Sequence, residues 1–367
     1  MPMECPILSA VANAILITGV CGFVGSTLAR CLLENIEGLS VCGIDNLMRY
    51  GSEMNRAALR RLGVTVFHGD IRNASDLELL PKVDWVIDAA ANPSVLAGVN
   101  ESTSSRQLLE HNVSGIVNVL EYCKTHQSGF VLLSTSRVYS INALVSLPLN
   151  VEDNAFRLDG EKVMPRGVSA AGIDPDFSTE PPLSLYGSTK LASETLALEY
   201  GHAFGFPVWI NRCGVLAGAG QFGTPEQGIL SYWLNAHLRR RPMRYIGYGG
   251  TGHQLRDAFH PRDLAKLLHT QMSTSRKGGR RVYTVGGGPS NAMSLAQLTA
   301  WCNSRFGNHQ PEKDDRLRKY DVPWVVMDGS HAARDFGWQC SIDLSALLAE
   351  IATHAEQHPD WLEVSGS

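Results

Sequence analysis

The sequence predicts an α/β fold: a doubly wound parallel sheet with a smaller C-terminal lobe interleaved with it. Three observations predict it. Apolar runs of strand length alternate with segments of helical spacing, three glycines three apart follow the first run, and the alternation weakens after about Gly214. The strand candidates are Ile15–Thr18, Val41–Ile44, Val64–Phe67, Trp85–Ala89, Phe130–Leu133 and Val208–Ile210. Helical spacing between them is clearest at Thr27–Ile36 and Leu108–Cys123. Beyond Gly214 come a glycine-rich stretch at Gly247–Gly252, a strand candidate at Arg281–Val285 and a closing helix candidate around Leu344–His354. No repeat, low-complexity tract or long linker interrupts the chain. Residues 14–214 are therefore expected to form one domain and residues 215–360 mainly a second lobe, with some segments returning to the first.

Composition narrows the function. With 44% apolar and 19% charged residues in 367, the chain can bury a large core. A formal charge of −4 gives no footprint for nucleic acid, and the basic run Arg239–Pro242 reads as a solvated helix end. No run reaches membrane-spanning length, and the opening MPMECPILSAVANA lacks the basic-then-apolar order of a signal peptide, so a cytoplasmic protein is expected. The cysteines at 5, 21, 31, 42, 123, 213, 302 and 340 are scattered, which predicts reduced thiols and no metal site.

The run AILITGVCGFVGSTLA places Gly19, Gly22 and Gly25 directly after the first strand candidate. Gly19 allows a tight turn, Gly22 lets backbone approach a pyrophosphate, and Gly25 lets the following helix pack on the sheet with its N-terminus toward the phosphates. Such a pattern can also be only a turn, but its context favours a dinucleotide. About twenty residues on, the second strand ends in GIDN, where Asp45 can accept from the adenosine ribose hydroxyls and repel a 2′-phosphate. NAD is thereby favoured over NADP. Arg49 lies close enough in sequence to soften that exclusion, or to meet the pyrophosphate or solvent. After the third strand, Asp70 and Ile71 can flank the adenine; a helix cap is the other reading of Asp70.

The reactive groups come later. In SLYGSTKLASETLALEY, Tyr186 and Lys190 stand four apart on one helical face, where an ammonium near a phenol favours the phenolate. The fifth strand candidate runs into Ser134 and Thr135, at the sheet edge where such folds bind ligands. Together these residues make a site that can take a proton from a hydroxyl.

The order GVCGFVG, Asp45, Asp70, Thr135 and YGSTK resembles the extended short-chain dehydrogenase/reductase family, the nucleotide-sugar epimerases and dehydratases, over about Ala14 to Asp328. The resemblance implies a Rossmann fold, bound NAD, a nucleotide-diphosphate sugar as substrate, and Thr135, Tyr186 and Lys190 as catalytic residues. Phe23, Val24, Asn46, Ala89, Ala90, Ala91 and Cys213 would join the cofactor site, together with Tyr186 and Lys190. Asn112 matches the family's helix asparagine that supports the active-site water or backbone; a satisfied buried amide is the other reading. Helices at Leu108–Cys123 and Leu185–His202 resemble the pair through which these enzymes form a homodimer, or within a homotetramer.

Family dehydratases carry Asp and Glu directly after the Thr, where this chain has Ser136 and Arg137, so epimerisation is expected. The runs DNLMRYGSEMNRAALRRLGVTVFHGDIRN, GQFGTPEQGILSYW and GTGHQLRDAFHPRDL resemble the branch that inverts C2 of a CDP-deoxyhexose more than the 4-epimerases. Gln221, Phe222, Arg256 and Arg318 would line the nucleotide and diphosphate side. A UDP-sugar 4-epimerase, another nucleotide-sugar oxidoreductase, or an NAD-binding protein without catalysis remain the alternatives.

Overall fold

The computed structural model describes residues 12–99, 104–274 and 278–367; Cys5 and the opening residues 1–11 lie outside the described residues. Seven strands form the central sheet: β1 (Ala14–Thr18), β2 (Ser40–Asp45), β3 (Thr65–His68), β4 (Trp85–Asp88), β5 (Gly129–Thr135), β6 (Val208–Cys213) and β7 (Val282–Val285). Their order is β7-β6-β5-β4-β1-β2-β3, and every pairing is parallel. The order reverses between β1 and β4, which opens a crevice at the carboxyl ends of the strands.

Side-chain alternation explains why these runs are nearly continuous apolar strands. Ile15 and Ile17 of β1 face one layer, with Leu28, Leu32, Leu264 and Leu268, whereas Leu16 faces the other, with Ile116, Leu120 and Ile210. A sheet covered on both faces buries both sides of its central strands, while the edge strand β3 leaves Thr65 and His68 exposed. Each such side chain contributes about 1.5–3 kcal/mol when fully buried.

Three helices position the site. Helix α1 (Phe23–Asn35) follows β1, α2 (Gly115–His126) precedes β5, and α3 (Leu185–Phe204) precedes β6. The helix anticipated over Leu108–Cys123 is present and carries a π turn, Glu110–Ser114, between Ser105–Leu109 and α2. Single π turns of this kind gather at functional sites.

A second sheet was not anticipated from the sequence. Its strand Leu255–Phe259 pairs parallel with Val215–Leu216 and Trp324–Val325 and antiparallel with Ala292–Ser294. Strands of two to five residues are too short to show a period. The glycine-rich stretch at Gly247–Gly252 holds only a short turn, Tyr248–Gly250. The basic run does follow a helix, Ile229–Leu238, but it is less free than expected. Arg239 donates to the carbonyls of Ala355, His358 and Pro359, and Arg240 to those of Phe306, Gly307 and Asn308, so both tie the ends of neighbouring helices. Among the described residues no helix is long and apolar enough to cross a membrane, the cysteines are free, and no cluster of His, Cys, Asp or Glu could hold a metal.

Candidate active site

One cavity of about 1000 Å³ follows the carboxyl edge of the central sheet and continues to Trp233, Met293 and Leu298. It is lined by Gly19, Gly22, Phe23, Val24, Gly25, Asp45, Asn46, Asp70, Ile71, Ala89, Ala90 and Ala91, by Thr135 and Tyr186, and by Gln221, Phe222, Arg256 and Arg318. Two anticipated residues do not line it. Lys190 and Cys213 are 3% and 5% exposed, packed one layer deeper.

At the glycine end, Gly19 turns the chain with φ of +64°, and helix α1 begins without a side-chain cap. A Cβ on Gly25 would stand 2.3 Å from the Gly19 carbonyl oxygen, so the helix approaches the turn as only glycine permits. An uncapped, close-packed helix start of this kind suits a pyrophosphate. The Asp45 carboxylate ends β2 and accepts from the Cys21 and Leu47 amides, both at 2.8 Å. Burial raises its pKa, and these amides oppose the rise. Arg49 does not wait for a 2′-phosphate: it donates to the Phe222 carbonyl at 2.6 Å and to Gln227 Oε1 at 2.9 Å. Burial would raise Asp70 as well, but Arg72 and Asn46 donate to it and hold it well below the usual carboxylate range. Asp70 is thus no simple helix cap. These residues fit a dinucleotide with an unphosphorylated adenosine ribose.

The reactive corner lies where β5 ends and α3 begins. Ser184 caps α3 by accepting from the Gly187 amide at 3.0 Å, which sets Tyr186 in the first turn. Burial pushes the Tyr186 phenol up to about 12, while a hydrogen bond with the Thr135 hydroxyl and the charge of Arg137 pull the other way. The sequence reading gave that cationic role to Lys190. In the structure burial lowers Lys190, and its charge is balanced by Asp88 and Glu194. Ser134 faces away from Thr135 and donates to Glu194, which also accepts from Arg212 at 2.8 Å. Cys213 pairs in register with Thr135, and burial pushes its thiol up to about 12. Asn112, in the π turn, accepts from the Asn92 amide at 2.8 Å and donates to the Asn92 carbonyl at 3.1 Å and Thr189 at 3.0 Å. It braces the backbone after β4 against α3.

Arg137 was legible only as a missing acid. Its chemistry as a cation depends on neighbours 119 and 181 residues further on, Arg256 and Arg318, which no local pattern connects to it. Arg256 is itself largely committed, donating to the carbonyls of Leu255 at 2.7 Å and Val322 at 2.6 Å. Phe222 stacks on Trp361 with ring centres 5.4 Å apart, and the Gln221 carbonyl accepts from the Trp361 indole at 2.8 Å.

With glycine turn, Asp45, Thr135 and Tyr186 in one cavity, the chain can be placed among known proteins. Residues 15–286 match the NAD dependent epimerase/dehydratase family, and the chain belongs to it. It is an enzyme that uses NAD. CDP-paratose 2-epimerase of Salmonella typhi is 29% identical over 327 residues, covering 85% of this chain and 92% of that one. UDP-glucuronate 4-epimerase 1 of Arabidopsis thaliana is 30% identical over 364 residues, covering 91% and 75%. The solved structure of UDP-glucuronic acid 4-epimerase from Bacillus cereus, in complex with UDP-glucuronic acid and NAD, superposes with a TM-score of 0.74 over 94% of this chain and 99% of that one, at 22% identity. That likeness shows the shared fold.

Proposed function

We propose that this enzyme is a nucleotide-sugar epimerase that inverts C2 of a CDP-linked deoxyhexose. The observation that carries the reading is the make-up of the corner around Tyr186. Thr135, Ser136, Arg137 and Tyr186 line it together, and the carboxylate beside them, Asp321, is held by Gln254 at 2.9 Å and Arg256 at 3.5 Å. Elimination needs a free acid and base next to the sugar. This corner supplies proton transfer at a single hydroxyl.

When bound, NAD supplies the hydride acceptor and donor. Tyr186 Oη takes the proton of the sugar hydroxyl as the carbon is oxidised, and returns it as the ketone is reduced on its other face. A phenol near 12 is almost wholly protonated at neutral pH, so the Thr135 hydrogen bond and the Arg137 charge, which both favour the phenolate, matter to the rate. Asn112 and the Glu194–Arg212 pair hold α3, and with it Tyr186, against the sheet. The C2 assignment is supported by the runs around Arg49, Gln221 and Arg256 and by the similarity to a CDP-paratose 2-epimerase. A 4-epimerase acting on a UDP-linked sugar is the second reading, favoured by the 30% identity to a UDP-glucuronate 4-epimerase. The proposal includes a homodimer, for which Leu109, Leu185 and Phe204 remain exposed on the helices around α2 and α3.

CDP-paratose carrying deuterium at C2, incubated with the protein and catalytic NAD, should yield its C2 epimer with the label retained. Tyr186→Phe should slow this by about 100- to 10,000-fold while nucleotide-sugar binding persists. Label lost to water, or inversion at C4 of a UDP-sugar instead, would overturn the assignment.

A further inference from the structure

We propose that Arg137 binds the substrate's diphosphate beside the carbon that Tyr186 serves, an inference that rests on the epimerase reading and deepens it. Arg137 lies two residues beyond β5, in the turn Ser136–Val138, and its amide donates to Thr135 Oγ1 at 3.2 Å. Its carbonyl oxygen occupies space that a side chain at position 187 would need: a Cβ on Gly187 would lie 2.1 Å from it. The Arg137 backbone is therefore clamped between Thr135 and the first turn of α3, next to Tyr186. Its Nη1 donates to the Tyr320 carbonyl at 3.1 Å, which fixes the direction of the guanidinium as it borders the cavity.

That guanidinium lacks a carboxylate. Among the described residues Arg137 forms no ion pair, and Asp321 is engaged by Arg256, Gln254 and the Val322 amide. A half-buried guanidinium that borders a cavity and has no carboxylate of its own is placed to take an anion that a ligand brings. Arg256 and Arg318 add their charges to the same corner and disfavour the charged form of Arg137. Of the charged groups acting on Arg137, two are guanidiniums and one is a carboxylate, Asp321, so the corner around it is cationic and suits a diphosphate. Since Arg256 has spent donors on two backbone carbonyls, the forks left for phosphate oxygens belong to Arg137 and Arg318.

Ring geometry then limits the chemistry. The diphosphate is bonded to the anomeric carbon, whose ring-carbon neighbour is C2, whereas C4 lies across the ring. A diphosphate held by a residue packed against Thr135 and Tyr186 brings C2, not C4, to the phenol. A sugar carboxylate is the other anion that Arg137 could hold, and it would suit C4, since that carboxylate hangs from C5.

The test is calorimetric titration of the NAD-loaded protein with CDP, CMP, UDP-glucose and UDP-glucuronate, for wild type and Arg137→Met. The variant should bind CDP at least tenfold more weakly and UDP-glucose and UDP-glucuronate by a similar factor, with CMP affected far less because it lacks the second phosphate. Arg137→Lys should recover part of the loss, since it keeps the charge without the planar fork. Unchanged CDP affinity in a variant that melts normally and retains NAD would overturn the contact. A loss confined to UDP-glucuronate would overturn it too, and hand Arg137 to a sugar carboxylate. If Arg137→Met does not fold, Arg137→Gln, which can keep a bond to the Tyr320 carbonyl, is read by the same criteria. CDP and CMP carry no sugar to turn over, so failure of this contact in the CDP titration and absence of C2 inversion are separate results.

Discussion

Glu194→Gln removes one charge from a pair whose side chains are 3% and 8% exposed. Glu194 accepts from Arg212 Nε at 3.1 Å through each oxygen and from Nη2 at 2.8 Å. Without it, Arg212 keeps the Pro175 carbonyl at 3.1 Å and a contact over the Tyr139 ring at 5.2 Å, neither of which supplies negative charge. Breaking a buried pair from one side costs about 3–5 kcal/mol, because the remaining ion stays desolvated. Unfolding entropy of about 2.1 cal/mol/K per residue over 367 residues converts this to a fall in Tm of about 4–6 °C. Differential scanning calorimetry of wild type and variant in one buffer reads it directly. Lys124→Met, which breaks the half-exposed pair with Glu121, serves as the control and should change Tm by no more than about 1 °C. Replacing both partners with apolar residues, Glu194→Leu with Arg212→Met, should recover much of the loss. A Glu194→Gln protein melting within 1 °C of wild type would refute the reasoning.

Asp45→Arg should weaken NAD and improve NADP, read from cofactor affinities by fluorescence titration; an unchanged preference would remove Asp45 from the ribose. Glu350 is held at about 2: burial would raise it, but the His260 hydrogen bond and the charges of His260 and Arg262 override that. A depressed carboxylate stabilises the fold above its unfolded pKa, near 4.5, and the contribution is lost as pH falls toward 2. The Tm difference between wild type and Glu350→Gln should therefore shrink from pH 5 to pH 3, and a constant difference would count against the pairing.

Much of the cofactor half was legible because its signals are local. The glycine turn, the strand-end carboxylate and the Tyr186–Lys190 spacing each lie within one element, and all seven central strands fall within a few residues of apolar runs visible in the chain. What could not be read depends on distant partners. The second sheet joins strands from 215 to 325. Lys190 has the spacing to face Tyr186, yet it is buried where Asp88 and Glu194 act on its charge, and Arg137, which that spacing does not reveal, adds a positive charge near the phenol. Arg49 could be placed near the cofactor but not assigned a partner, because Phe222 and Gln227 come more than 170 residues later.

That last contact bears on residence time. Arg49 borders the adenosine end of the cavity while gripping the segment that carries Gln221 and Phe222, and Ser94 reaches Glu226 at 3.3 Å from the other bank. Both bonds join segments that border the same cavity, so a dinucleotide whose exit required them to part would exchange slowly. Slow exchange would throttle a dehydrogenase that discards reduced NAD at every turn. For a reaction that ends each cycle with NAD in its starting oxidation state it carries no penalty, and one molecule can stay through many turnovers.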